Sequence, residues 1–413
     1  MSTIQEHRFD NGLILLVEEL ERPVAACHLL LPGGTSTDPA GLEGAGNVLA
    51  TLVQRGAGTR DTKALSEAFE FLGYRRGVTA GQSSTVLTLA GLVEPWDEAI
   101  GLLADIVLRP ALPESEVEPC RQLALQTLAG LDDEPGQKLI IELYQRYFPT
   151  AFGRCRLGTR AGLEALDHSA LRRRWEQTYC PAGAVMTVAG GLRFAAVVDR
   201  VGELFGDWHG EATASPPPVT VGRPKYEHVD STTEQVHLGL AYPDVPPDHP
   251  ARYHALMAAQ VLSGGMGSRL FTEVREKRGL CYSVHARTHA VRGHGYTMAT
   301  AGTTTQRSSE TLEVMARELL RLPGSVEPDE VQRGRVRLLS STVMSDESTS
   351  ARAARMATDH YLLGRVRSFE EIRAGIEAVT CDSLNQHLGT YPPQDFTVVT
   401  LGPSFTWPSG LEL

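Results

Sequence analysis

Gly81-Gln-Ser-Ser-Thr-Val-Leu-Thr-Leu-Ala alternates polar and apolar residues as a strand does, and Pro95-Trp-Asp-Glu-Ala-Ile-Gly-Leu-Leu-Ala-Asp-Ile then turns helical. Gly293-His-Gly-Tyr-Thr-Met-Ala-Thr-Ala-Gly, followed by Ser309-Glu-Thr-Leu-Glu-Val-Met-Ala, does the same 212 residues later. The shift persists along the chain. Pro113-Glu-Ser-Glu-Val matches Pro328-Asp-Glu-Val, each a Pro-acidic start to a long helix. Gly162-Leu-Glu-Ala-Leu matches Gly375-Ile-Glu-Ala-Val, 213 residues on. Tyr179-Cys-Pro, leading into Ala184-Val-Met-Thr-Val-Ala-Gly, matches Tyr391-Pro-Pro and Phe396-Thr-Val-Val-Thr-Leu-Gly. A shift that stays near 212 to 215 over separated elements marks a duplication.

The duplication sets the expected architecture. Between the copies, 206–220 lacks apolar periodicity and is stiffened by Pro216, Pro217 and Pro218, the composition of a semi-rigid linker. We read an N-terminal domain over 1–212, a linker over 213–222 and a C-terminal domain over 223–413. Strands such as Leu13-Ile-Leu-Leu-Val and Ala25-Ala-Cys-His-Leu-Leu-Leu need cover on at least one face. The fold class is therefore α+β: two domains of one topology, each a mostly antiparallel sheet with helices packed on one face.

Composition excludes several functions. The chain has 413 residues, 42% hydrophobic and 22% charged, with 40 Gly and 24 Pro, as in ordinary globular proteins. No run approaches the roughly 18 uncharged apolar residues of a membrane span. The opening Met1-Ser-Thr-Ile-Gln-Glu-His-Arg lacks a signal peptide's basic-then-apolar layout. A bacterial cytoplasmic location is expected, or a periplasmic one if an export signal is removed. A net charge of −11 argues against a nucleic-acid groove. Six scattered cysteines with no Cys-x-x-Cys pair read as structural residues. Only four of the 39 basic residues are Lys, so single arginines carry little functional weight, and Arg172-Arg173-Arg174 reads as a solvated helix face.

The strongest local motif is Leu262-Ser-Gly-Gly-Met-Gly-Ser-Arg-Leu-Phe-Thr-Glu-Val-Arg-Glu-Lys-Arg-Gly-Leu-Cys-Tyr-Ser-Val. A glycine-rich turn opens a short charged helix that stops at Gly279 and feeds a strand starting near Tyr282. It is a poor phosphate loop, because no Lys-Ser/Thr follows and no later ribose-binding acid frames it. His285 and His289 fall in that strand, where residues four apart are about 13 Å from each other, too far to share a metal with or without His294. The strands at Thr85-Val-Leu-Thr-Leu and Tyr296-Thr-Met-Ala-Thr are either edges able to pair with an extended peptide or internal strands.

This stretch resembles the second-domain signature of the pitrilysin/insulinase-type zinc metallopeptidases, which include the mitochondrial processing peptidase subunits. Arg8-Phe-Asp-Asn-Gly-Leu, Leu31-Pro-Gly-Gly-Thr-Ser-Thr-Asp and Gly153-Arg-x-x-Leu-Gly-Thr resemble that family's opening strands and mid-domain turn. In the family, a first-domain helix carries His-x-x-Glu-His: two His at i and i+4 share a Zn²⁺ while the Glu activates water, and a further Glu lies downstream. Here the matching helix is Gly41-Leu-Glu-Gly-Ala-Gly-Asn-Val-Leu-Ala-Thr-Leu-Val-Gln-Arg-Gly. It places Asn47, Ala50 and Thr51 at the His, Glu and His positions, and the downstream Glu falls near Gln126 or Thr127. None of these is a competent ligand or base, so no metal site is assigned to this chain.

The resemblance implies that a second-domain pair survives: Arg275 and Tyr282, catalytic residues donated to a partner's site. There Tyr would stabilise the oxyanion and Arg would bind substrate backbone or carboxylate. The plain reading is a helix-capping Arg and a core Tyr. The resemblance further implies a non-zinc-binding subunit, inactive alone, whose partner is a homologous His-x-x-Glu-His chain holding the zinc, the two closing around an unfolded peptide. The alternatives are an inert scaffold subunit of a larger assembly and a subunit of a peptidase that trims a cofactor precursor peptide.

Overall fold

The computed structural model describes residues 4–210 and 217–413, so positions 213–216 of the expected linker lie outside the described residues. The strands are β1 Ile4–Arg8, β2 Ile14–Glu19, β3 Val24–Pro32, the short pair β4 Gly56–Ala57 and β5 Arg60–Asp61, β6 Arg75–Ala80, β7 Ser84–Leu92 and β8 Val185–Gly190. The second copy supplies β9 Lys225–Asp230, β10 Gln235–Asp244, β11 Cys281–Val291, β12 His294–Thr304 and β13 Thr397–Gly402.

The first sheet has the order β1-β2-β8-β3-β7-β6 and the second β9-β13-β10-β12-β11. In each, one pairing is parallel, β2 with β8 and β9 with β13, and the rest are antiparallel. Laid side by side, β2, β8, β3, β7, β6 and β9, β13, β10, β12, β11 share both order and direction, with β1 the only addition. The duplication read from the 212-residue shift is a duplication of topology, and the α+β class holds. The two strands considered for peptide pairing are internal: β7 lies between β3 and β6, and β12 between β10 and β11. The edge strands beside them are β6 and β11.

Alternation explains the main cores. Leu13, Leu15 and Val17 join Ala25, Cys27, Leu29 and Leu31 of β3, Leu87 and Leu89 of β7, and Met186 and Val188 of β8 on one face. Helices cover it, among them Trp96–Leu108 and Phe194–Phe205, whose apolar residues recur at helical spacing. In the second sheet Val236, Leu238 and Leu240 do the same under helices that include Arg252–Ser263 and Ser308–Leu320.

The other faces are not bare. In the first unit the helix Thr349–Leu363 sets Ala353 and Met356 against Leu16, Ala26, Val185 and Ala189. In the second unit Pro135–Tyr147 sets Leu139, Leu143 and Tyr147 against Ala241, Tyr296, Met298, Val399 and Leu401. Each of these helices comes from the opposite half of the sequence. One compact unit is 1–130, 154–218 and 345–366; the other is 131–153, 219–344 and 367–413. The domain boundaries expected at 1–212 and 223–413 cut the chain once, whereas the compact units trade one helix in each direction. Pro135 and Thr349 are 214 residues apart, so the traded helices are themselves copies.

Among the described residues no helix is long and apolar enough to cross a membrane. None of the six cysteines, all among the described residues, forms a disulfide.

Candidate functional site

Asn47, Ala50 and Thr51 lie on the helix Ala45–Leu52. Ala50 is buried, and Asn47 and Thr51 are half-buried. The neighbouring helix Val117–Ala129 presents Gln126 and Thr127 to solvent, and the Thr127 hydroxyl donates to its own helix at Leu123 O, 2.8 Å away. The structure thus brings the degenerate positions onto the two packed helices that the motif would need. The donor set is wrong for zinc: two amides, two hydroxyls and a methyl offer neither imidazole, thiolate nor carboxylate. Among the described residues no group of three or more His, Cys, Asp or Glu could hold a metal.

The start of the helix Ala45–Leu52 is anchored by an ion pair that sequence reasoning missed. Asp38 accepts from Gly44 N at 2.9 Å and Gly46 N at 3.0 Å, satisfying first-turn amides of the degenerate helix. Arg174 Nη2 lies 3.2 Å from Asp38 Oδ1, and their side chains are 2% and 1% exposed. The same guanidinium donates to Gly34 O and to the carbonyl and hydroxyl of Thr37. Burial pushes the Asp38 carboxyl up, against the pull of Arg174 and the two backbone amides. The solvated reading holds for Arg172 and Arg173, which are exposed, and is corrected for Arg174. Helical spacing could have flagged it: Arg174 falls three residues after buried Leu171 and four before buried Thr178.

Arg275 and Tyr282 are brought together. The charged helix is a π-helical turn, Phe271–Glu276, a form that often marks functional sites. Gly279, at φ 59°, takes the left-handed conformation that ends it. Lys277 and Arg278 both bond Glu273 and hold its carboxyl down near 2. Between Cys281 and Ser283 the β11–β12 register shifts, because Cys281 pairs with Thr303 and Ser283 with Gly302, leaving Tyr282 as the extra residue of a bulge. The bulge turns Tyr282 outward, 82% exposed.

Arg275 Nη1 donates to Tyr282 O at 2.7 Å. Its guanidinium carbon stands 4.8 Å from the Phe271 ring centroid and 4.9 Å from that of Tyr282. So Arg275 is not a helix cap, Tyr282 is not a core residue, and the pair forms one stacked unit on an edge strand. The phenol hydroxyl is left to solvent and to any ligand, while the guanidinium has one N–H committed to the bulge. His285 and His289 both lie in β11, as read from the sequence, and His294 opens β12.

Residues 13–158 match the family Insulinase (Peptidase family M16), and residues 165–338 match the Peptidase M16 inactive domain. The chain belongs to the insulinase/pitrilysin (M16) peptidase family. It is a member lacking the zinc motif, as the helix carrying Asn47, Ala50 and Thr51 shows. The uncharacterized zinc protease YmxG of Bacillus subtilis is 24% identical over 98% of this chain and 100% of its own. An uncharacterized zinc protease of Streptomyces coelicolor is 27% identical over 93% of this chain and 86% of its own. In three dimensions the chain is similar to the peptidase M16 inactive domain from Pseudomonas fluorescens, with a TM-score of 0.90, 20% identity and coverage of 99% and 100%. A protease from Helicobacter pylori gives a TM-score of 0.87 at 15% identity, covering 97% and 100%. These two likenesses establish the shared fold.

Proposed function

We propose that this M16 chain is the non-zinc-binding subunit of a heterodimeric zinc metallopeptidase that degrades or processes unfolded peptides. Its partner is a homologous chain with an intact His-x-x-Glu-His that holds the zinc and the attacking water. The observation that carries the reading is a contrast within one chain: the zinc positions are empty of ligands at Asn47, Ala50 and Thr51, while Tyr282 is held outward by its bulge with a free hydroxyl. A structural tyrosine gains nothing from 82% exposure; a donor to another chain's substrate requires it. Arg275 stacks on the ring and fixes its direction, and its remaining N–H groups can meet a substrate carbonyl or carboxylate.

A second reading has its own support. One Arg275 N–H is spent on Tyr282 O, and two rings flank the guanidinium, which suits a residue retained to shape the bulge of an inert scaffold subunit. Reconstitution separates the two. The chain alone should carry no stoichiometric zinc by elemental analysis and cleave no peptide. Mixed with its His-x-x-Glu-His partner it should support cleavage, and Tyr282→Phe should cut kcat by on the order of 10²-fold, the scale for losing one oxyanion donor. Unchanged kcat in Tyr282→Phe would favour the scaffold, and zinc-dependent proteolysis by the isolated chain would overturn the proposal.

A further inference from the structure

A cleft of about 410 Å³ in the second unit lies outside the Arg275–Tyr282 pair. One wall is the glycine turn Gly264, Gly265 and Gly267 with Ser268; the other is the start of the helix Pro328–Asp346. Glu330, Arg333 and Arg337 are spaced i, i+3 and i+7, which puts all three on one helical stripe. Glu330 is already used. Arg269, 7% exposed, donates to both its oxygens at 2.8 and 2.7 Å and binds Ser325, clamping the glycine turn to the helix.

Neither arginine further along the stripe is clamped on a carboxylate as Arg269 is, although Arg333 is near enough to help hold the Glu330 carboxyl down. Among the described residues no carboxylate lies within ion-pair distance of Arg333 or Arg337. Both nevertheless lie against the turn. A Cβ at Gly265 would sit 2.8 Å from Arg337 Nη1, and one at Gly267 would sit 3.8 Å from Arg333 Nε. The absence of a side chain at Gly265 is what lets the guanidinium close over the backbone. On the same cleft wall Gln260 Oε1 is buried without a hydrogen-bond partner, an acceptor that costs free energy until a donor reaches it.

We propose that this cleft binds the carboxylate of a peptide, at an acidic side chain or a free C-terminus. Arg333 and Arg337 supply paired guanidinium donors to the carboxylate, and Gln260 Oε1 accepts an N–H from the peptide backbone. The orphan acceptor selects a peptide over a bare inorganic anion, because a ligand with both an anion and an amide N–H satisfies both sides of the cleft. The clamp between Arg269 and Glu330 holds the two walls at fixed separation before any ligand arrives.

The test is titration calorimetry on the full chain without any partner, so its outcome is independent of zinc and proteolysis. The probes are acetyl-Gly-Ala-Glu-Ala-amide, acetyl-Gly-Ala-Ala with a free carboxylate, neutral acetyl-Gly-Ala-Gln-Ala-amide, and inorganic phosphate. At least one anionic peptide should bind tenfold or more tightly than the neutral one, and the two arms distinguish side-chain from terminal carboxylate. Arg333→Gln with Arg337→Gln should abolish that preference, whereas Arg172→Gln with Arg173→Gln should keep it. Gly265→Ala, which crowds Arg337 without removing its charge and also strains the turn at φ 150°, should weaken it. Equal affinity for charged and neutral peptides, a preference surviving the Arg333/Arg337 change, or phosphate binding as tightly as the peptides would each overturn the proposal.

Discussion

Arg174 Nη2 and Asp38 Oδ1 meet 3.2 Å apart in a place where neither side chain is more than 2% exposed. The pair ties the turn at 34–38 to the helix His168–Thr178 and, through the Asp38 oxygens, to the amides of the degenerate helix. Removing one partner of such a pair strands a buried charge. Arg174→Ala should therefore cost about 3–5 kcal/mol in urea unfolding, several times more than Arg172→Ala or Arg173→Ala on the exposed face of the same helix. Arg174→Lys should recover only part, since an ammonium cannot reproduce the fork that reaches Gly34 and Thr37 together.

The traded helix makes a second prediction. Residues 4–218 alone lack Thr349–Leu363, leaving Leu16, Ala26, Val185 and Ala189 uncovered, and also expose Leu139, Leu143 and Tyr147 of the helix that serves the other unit. Such a fragment should aggregate or bind a hydrophobic dye, and a peptide spanning 345–366 added in trans should restore a cooperative melt. Within the intact chain Met356→Ala should cost about 2–5 kcal/mol, as expected for a buried Met.

Stability should also fall on mild acidification, in part through one residue. His387 is buried, and burial together with the neighbouring His254 and His249 pushes its pKa down to about 4. The folded state thus keeps His387 neutral while the unfolded chain takes up a proton near 6.5. Between pH 6.5 and 4 the unfolded state binds more protons, so this contribution is intact above 6.5 and declines as pH falls. Comparing urea midpoints at pH 7 and pH 5, His387→Phe should show a smaller loss than the parent chain.

Arg275→Ala should release the bulge. Tyr282 O loses its donor and the ring loses its stacked guanidinium, so amide exchange across Cys281–Ser283 should quicken while global stability moves little, the site being exposed. Tyr282→Phe keeps the carbonyl and the ring and should leave that exchange unchanged. The two variants thereby separate shape from chemistry in any reconstituted peptidase.

Much of the fold was legible because the information is local. The apolar run Leu13–Val17, alternation in 84–92, Pro-acidic helix starts and repeated turn residues announce elements whose order the sheets follow. The two candidate pairing strands turned out to be internal because edge position is decided by which strand lies next to them, here β6 and β11, and no residue within β7 or β12 encodes that. Arg174 was hidden for a related reason: a run of three arginines looks uniform along the chain, but a 3.6-residue period turns one of them inward.

By itself the sequence determined the duplication and the α+β class, because each depends on local period, and its resemblance to the family marked Asn47, Ala50 and Thr51 as zinc positions without ligands. Tertiary structure alone decided which sheet each amphipathic helix covers, that Tyr282 is the unpaired residue of a bulge, and that Arg174 is buried on Asp38. Periodicity specifies that an apolar stripe must be buried. It does not specify against what, since apolar burial is non-directional and a helix from either half of the chain can satisfy it.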